Sequence, residues 1–304
     1  MKPLELARGI TPDFPSSSGR PFRHPDEDLL ARRDELASAA GDLGTAEATE
    51  LAARTWRLWM AARDVAGGRA FLAEVLDERK PSDPSRWRAL ALYGDGLFAF
   101  WAGDAEGARR RNEEAFALAQ RLDDSEALLY AHLGTSRVAL EDGDHSRARE
   151  HAAAARALAA RFGEAAGQAP LHLEAQATRA AGDYDGAAEL FEHSLALNRR
   201  IDDPSMVPVE LHNLGLVEIH RGDADAAEQY FAQLPPSDDP YLQALMRVNR
   251  AAVAYRRGNL DEARELLAGV DGQELASDDR QELEWLEREL RSSPTTSTPR
   301  DAAR

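Results

Sequence analysis

The chain of 304 residues contains no cysteine. That absence excludes disulfide staples, cysteine-ligated zinc, iron–sulfur clusters and a thiol nucleophile. Lysine is almost missing as well, since Lys2 and Lys80 stand alone and nearly all positive charge is arginine. Cations are outnumbered, 37 Lys plus Arg against 54 Asp plus Glu, for a formal net charge of −17. Nonspecific nucleic-acid affinity needs clustered cations, so no nucleic-acid partner is expected. No apolar run approaches the roughly 18 residues of a membrane-spanning helix. Met1 to Arg23 lacks the basic-then-apolar pattern of a secretory signal, and a cytoplasmic protein without a membrane partner is expected.

Chemical signatures are missing too. There is no G-x-x-x-x-G-K-[ST] phosphate loop, no H-E-x-x-H, no G-x-S-x-G, and no dinucleotide G-x-G-x-x-G after a strand. Glu141-Asp142-Gly143-Asp144 is acidic but lacks the ligand spacing of a calcium loop. No cofactor, no metal and no catalytic residue is expected.

What the chain does have is alanine, the best helix former and a residue that lets helices approach closely. The ends differ from the middle. Residues 1–25 carry five prolines and a Ser-Ser-Ser-Gly run, and are expected to be disordered or to dock on the body through Leu4, Leu6, Ile10 and Phe14. Residues 291–304 read as a free tail. Between them, residues 26–290 read as helix almost without interruption.

A repeat organises that middle. Gly-Asp or Gly-Asn recurs at Gly103, Gly143, Gly182, Gly222 and Gly258, at intervals of 40, 39, 40 and 36 residues. Five residues after each glycine stands an alanine (Ala108, Ala148, Ala187, Ala227, Ala263). Seven before it stands a small residue: Gly96, Ser136, Ala175, Gly215 or Ala251. Glycine suits a left-handed helix end, Asp or Asn the start of the next helix, and small residues a close crossing. The pattern predicts a chain of helix hairpins.

Leu211-His-Asn-Leu-Gly215, followed by Gly222-Asp223, Ala227 and Phe231, resembles the tetratricopeptide repeat (TPR), as does Gly182-Asp183-Tyr184 with Ala187 and Phe191. The ~40-residue period is similar to the TPR arrays of bacterial LuxR-like and AfsR-like multidomain regulators, here without ATPase or DNA-binding domains. The resemblance covers about residues 50–270. It implies an all-α fold, an α-solenoid or TPR-like superhelix of about six helix hairpins with flanking capping helices, forming one array. The first hairpin is expected to be degenerate, with Trp56, Leu58 and Trp59 in its first helix, Ala70 and Leu72 in its second, and Gly67-Gly68 in place of the turn. Residues 27–40 should add a helix before it, and Asp278 to Leu290 a polar capping helix after the last repeat.

In such arrays the first helices line a concave groove that holds partners. Helical spacing places there Tyr93, Leu97, Phe100 and Trp101 from one unit, and Tyr130, Arg137 and Glu141 from the next. His172, Gln176 and Arg179 follow, then His212, Asn213 and His220, and finally Asn249, Tyr255 and Arg256. His172 and His212 stand at equivalent positions roughly 10 Å apart, too far to share a zinc ion, and His132 should point about 100° away from them. The expected function is non-catalytic binding of a protein or peptide segment, acidic or bearing a free carboxylate, in bacterial regulation or scaffolding. Arrays that clamp a chaperone's terminal carboxylate use lysines, which this face lacks. The alternative is a small-molecule sensor or enzyme whose His and Arg residues surround an enclosed pocket. Oligomeric state has no signature in the sequence.

Overall fold

The computed structural model describes residues 3–9, 27–77, 84–275 and 277–293. Among the described residues there is no strand. The chain divides into two compact units, residues 1–206 and 207–304.

The first unit opens with α1 (Pro3–Gly9), α2 (Glu27–Ala31) and α3 (Arg33–Ala40). Four hairpins follow. The first is α4 (Thr45–Thr55) and α5 (Arg57–Ala61) against α6 (Val65–Val75), and the second is α7 (Arg86–Trp101) with α8 (Ala105–Leu122). The others are α9 (Ser125–Glu141) with α10 (His145–Ala159), and α11 (Gln168–Ala180) with α12 (Tyr184–Arg200). The second unit contains α13 (Val207–Arg221) with α14 (Ala224–Phe231), α15 (Pro240–Arg256) with α16 (Leu260–Leu267), and a last helix, α17 (Ser277–Ser292). This is an all-α helical repeat fold.

The turns explain the repeat. The five glycines sit at φ between 73° and 89°, a region that a side chain resists. The N–H of the following Asp or Asn returns to a carbonyl one turn back, as in Asp104 to Ala99 and Asp144 to Ala139, both 2.9 Å. Each aspartate then caps the next helix. Asp104, Asp144, Asp183 and Asp223 accept the N–H three residues on, at 2.9, 3.1, 3.0 and 2.9 Å. Asn259 makes no such cap and meets Glu262 at 3.3 Å instead.

The first hairpin obeys the same rule in disguise. Its turn is Arg63-Asp64 rather than Gly67-Gly68. Arg63 takes the left-handed conformation at φ 57°, and Asp64 caps α6 through Gly67 N–H at 2.8 Å. Gly68, not Ala70, fills the alanine position, because a β-carbon there would stand 2.3 Å from the Phe98 ring.

The crossings are as close as the small residues require. Ser136 Oγ donates to the Ala148 carbonyl at 2.8 Å, and a β-carbon on Gly215 would lie 2.2 Å from Phe231. Trp56, Leu72, Phe98 and Leu129 fill the first unit's core together with a row of alanines on α10, Ala152, Ala155 and Ala159. Burying each large side chain contributes about 1.5–3 kcal/mol.

Within the segment expected to be disordered or docked, residues 3–9 form a helix on α4. Leu4 and Ala7 are buried and Arg8 pairs with Glu50 at 2.7 Å. Pro3 stands at the first helical position, where its missing N–H costs nothing, and the segment's other prolines lie beyond Gly9. Ile10, Phe14 and residues 294–304 of the expected tail lie outside the described residues.

Second helices differ between the units. α8, α10 and α12 have 18, 15 and 17 residues, whereas α14 and α16 have 8 each. Pro235-Pro236 follow α14 closely, and Gly269, at φ 80°, follows α16. No helix among the described residues is long and apolar enough to cross a membrane.

Candidate functional site

In the first unit the predicted groove residues separate by depth. Tyr93, Leu97 and Tyr130 are corrections, since all three belong to the core. The rings form a ladder across successive first helices, Trp56 to Tyr93 at 6.0 Å and Tyr93 to Tyr130 at 5.1 Å. Arg57 completes it by donating to Tyr130 Oη at 2.7 Å while lying over Trp56. Buried edge-on and tilted rings of this kind hold repeat to repeat and leave no face for a partner. His172 is also buried, edge-on to Phe191 at 6.0 Å.

The accessible part is smaller. Trp101 is 47% exposed, the most open of the five tryptophans. It meets the half-buried Phe100 edge-on at 5.6 Å, and the Arg137 guanidinium lies 5.9 Å from the Phe100 ring. Arg137 itself is buried, so it is a stacked cation rather than an open fork. Glu141 is exposed, and Gln176 and Arg179 are half-buried.

Two polar clusters escaped the sequence reading. His132 and His151, on α9 and α10, bring their Nδ1 atoms to 2.9 Å, with Phe116 edge-on to both rings. His132 thus points to the second-helix side, away from the predicted groove. Burial, with His151 beside it, lowers the His132 pKa to about 4, and burial lowers that of His151 as well. On α7, Asp95 is buried and its Oδ2 accepts from Arg111 Nε at 2.7 Å. Burial pushes its carboxyl up despite that arginine.

In the second unit the predicted residues already have an occupant. His212 Nε2 meets Asp279 Oδ1 at 3.2 Å, and Asn249 donates to its Nδ1 at 3.1 Å, which leaves the Nε2 hydrogen for the carboxylate. Tyr241 donates to the other Asp279 oxygen at 2.5 Å. His220 Nε2 meets Glu282 at 2.8 Å and its ring lies 4.7 Å from Trp285. Tyr255 donates to Glu289 at 2.9 Å, and Arg256 lies over both Tyr255 and Trp285 at 5.6 and 5.2 Å. Asp279, Glu282, Trp285 and Glu289 all belong to α17. Asn213 is a correction: it is buried and donates to Val209 of its own helix at 2.9 Å.

Three clefts of about 400, 580 and 540 Å³ open on the second unit. None of the three is lined by His172, His212, His220, Arg137 or Arg179. Among the described residues no group of three His, Asp or Glu could hold a metal ion.

Residues 178–248 match the tetratricopeptide repeat family. Over this segment the chain is similar to tetratricopeptide repeats. Solved structures extend the TPR-like likeness over most of the chain. NprR in complex with its cognate peptide NprX is 17% identical, covering 87% of this chain and 84% of its own, with a TM-score of 0.58. A Rap protein complexed with competence and sporulation factor is 12% identical over 87% and 80%, TM-score 0.56. A tetratricopeptide repeat protein from Parabacteroides merdae ATCC 43184 is 12% identical over 86% and 93%, TM-score 0.53. At such identities the likeness is one of fold. Among curated proteins none matches the chain in sequence.

Proposed function

We propose that this chain is a non-catalytic TPR module that binds a protein or peptide segment, in bacterial regulation or scaffolding. The carrying observation is the exposed Trp101 beside Phe100 and the stacked Arg137. An open tryptophan with an aromatic and a cation next to it is the usual composition of an interface anchor. Arg137, stacked on Phe100, and the half-buried Arg179 are the cations this reading offers to an acidic segment or a free carboxylate. Two of the fold's relatives, NprR and a Rap protein, were solved with a peptide or factor bound, which supports the same use of the fold here.

The test is capture. The immobilised chain and its Trp101→Ala variant are exposed to lysate of the source organism, with Val209→Ala as the control for another exposed apolar residue (37%). Trp101→Ala should lose at least one captured protein by about tenfold, because anchor residues typically cost ~2 kcal/mol or more on truncation. Identical protein sets for all three chains sink the reading.

A further inference from the structure

The first helices of the second unit present a row of hydrogen-bond donors, and one helix of the chain lies on it. α17, SDDRQELEWLERELRS, is acidic and amphipathic. Its carboxylates meet that row in register: Asp279 with His212 and Tyr241, Glu282 with His220, Glu289 with Tyr255. Trp285 fills the space between His220, Tyr255 and Arg256. One step around the helix, Leu283, Leu286 and Leu290 are buried.

We propose that this seat on α13 and α15 is a binding site for an acidic amphipathic helix of a partner protein, and that α17 is the occupant such a helix displaces. Charge complementarity selects the partner's chemistry. The helix must carry carboxylates at the spacing of Asp279, Glu282 and Glu289, an aromatic at that of Trp285, and leucines at that of Leu283, Leu286 and Leu290. Without the leucines the vacated core would face water. α17 is a replaceable occupant for two reasons. The His212–Asp279 and His220–Glu282 pairs are largely withdrawn from water, the side chains 11–13% exposed, so desolvation offsets much of their attraction. Arg256 Nε, moreover, is buried with no hydrogen-bond partner among the described residues, and the α17 group seen against it is the Trp285 ring. A helix with a carboxylate within reach of Arg256 gains a charge-assisted bond that α17 does not make. The site rests on the binding-module reading, but Trp101 takes no part in it.

The test uses the full chain and, as probe, a fluorescent peptide of residues 277–292 followed by anisotropy. In the opened variant, Glu282→Lys with Glu289→Lys, the probe should bind at least tenfold tighter than to the unaltered chain. Because the chain has no cysteine, Arg264→Cys with Ser293→Cys can be bridged by a short bifunctional maleimide; Arg264 reaches the Ser293 carbonyl at 3.4 Å. Bridging should weaken probe binding at least tenfold relative to the unbridged form. Equal affinities for opened, unaltered and bridged chains overturn the proposal. Loss of probe binding in Trp101→Ala also overturns it, by placing the peptide on the first unit. A dimer of the opened variant in light scattering overturns the partner assignment in favour of a second copy's α17. If the opened variant loses its helical signal, native hydrogen exchange of the unaltered chain decides. Amides of α17 exchanging at least tenfold faster than those of α15 support displacement, and equal rates overturn it.

Discussion

The two units use the same hairpin to different ends. In the first, second helices run to 11–18 residues, and the inward aromatics of α7 and α9 pack ring against ring. In the second, second helices of 8 residues stop early, and the inward residues of α13 and α15 are His, Asn, Tyr and Arg. Ring on ring is self-sufficient packing. A row of donors needs acceptors, and α17 supplies them. One repeat pattern thus yields a closed aromatic ladder in one unit and a polar seat in the other.

The largest test of this contrast is Tyr93→Ala. Removing the middle ring of the ladder should cost about 3–5 kcal/mol. The loss should appear in denaturant unfolding followed at the first unit, where Trp56 and Trp59 are buried. An unchanged midpoint would show that the ladder is not what holds α7 to α9. Gly215→Ala probes the second unit's crossing, where the new β-carbon meets Phe231. It should cost roughly 1–3 kcal/mol, and the double variant with Phe231→Leu should recover part of that. Gly222→Val places a β-branched residue at φ 89°. A loss of about 1–3 kcal/mol is expected, whereas an unaltered melting curve would mean that the turn relaxes out of the left-handed region.

Two smaller effects sharpen the comparison. His132 is neutral in the folded first unit, its pKa lowered to about 4 by burial and His151, while in an unfolded chain it titrates at the ordinary 6.5. The unfolded chain therefore binds the proton first, and stability falls as pH drops from about 6.5 toward 4. Because the ring is partly solvated, about 1 kcal/mol is expected after discounting for screening. Urea midpoints at pH 7 and pH 4.5 should differ less in His132→Gln than in the unaltered chain. Arg63→Gly, finally, relieves a left-handed arginine and should stabilise the first hairpin by about 0.5–1 kcal/mol. A lower melting temperature would show that Arg63 contributes more by its side chain than its backbone costs.

The repeat was legible because its signals are local. A left-handed glycine, a capping aspartate three residues from its donor, and a small residue at each crossing all lie within one hairpin. Depth was not legible. The offset from each glycine placed Tyr93, Tyr130 and Phe100 on one side of their helices, but whether a ring is buried depends on what the neighbouring helix brings to it. Arg63-Asp64 escaped notice because arginine there adopts a conformation normally left to glycine. The partners of His212 and His220 lie 67 and 62 residues away, beyond any motif. The buried Asp95–Arg111 pair joins two helices of one hairpin, yet the sequence alone does not tell it from a surface pair.

The turn that opens α6 also has a consequence for how such a chain can change length. Arg63-Asp64 keeps the carbonyl return to Trp59 at 2.9 Å and the aspartate cap without any glycine. The joint is therefore written mainly in one aspartate and in backbone geometry, repeated about every 40 residues. Excising or copying a block bounded by two aspartate turns at the DNA level would join a helix end to a cap of the same kind. A gene built this way can gain or lose whole hairpins by unequal recombination, and each product would have a complete set of helix ends.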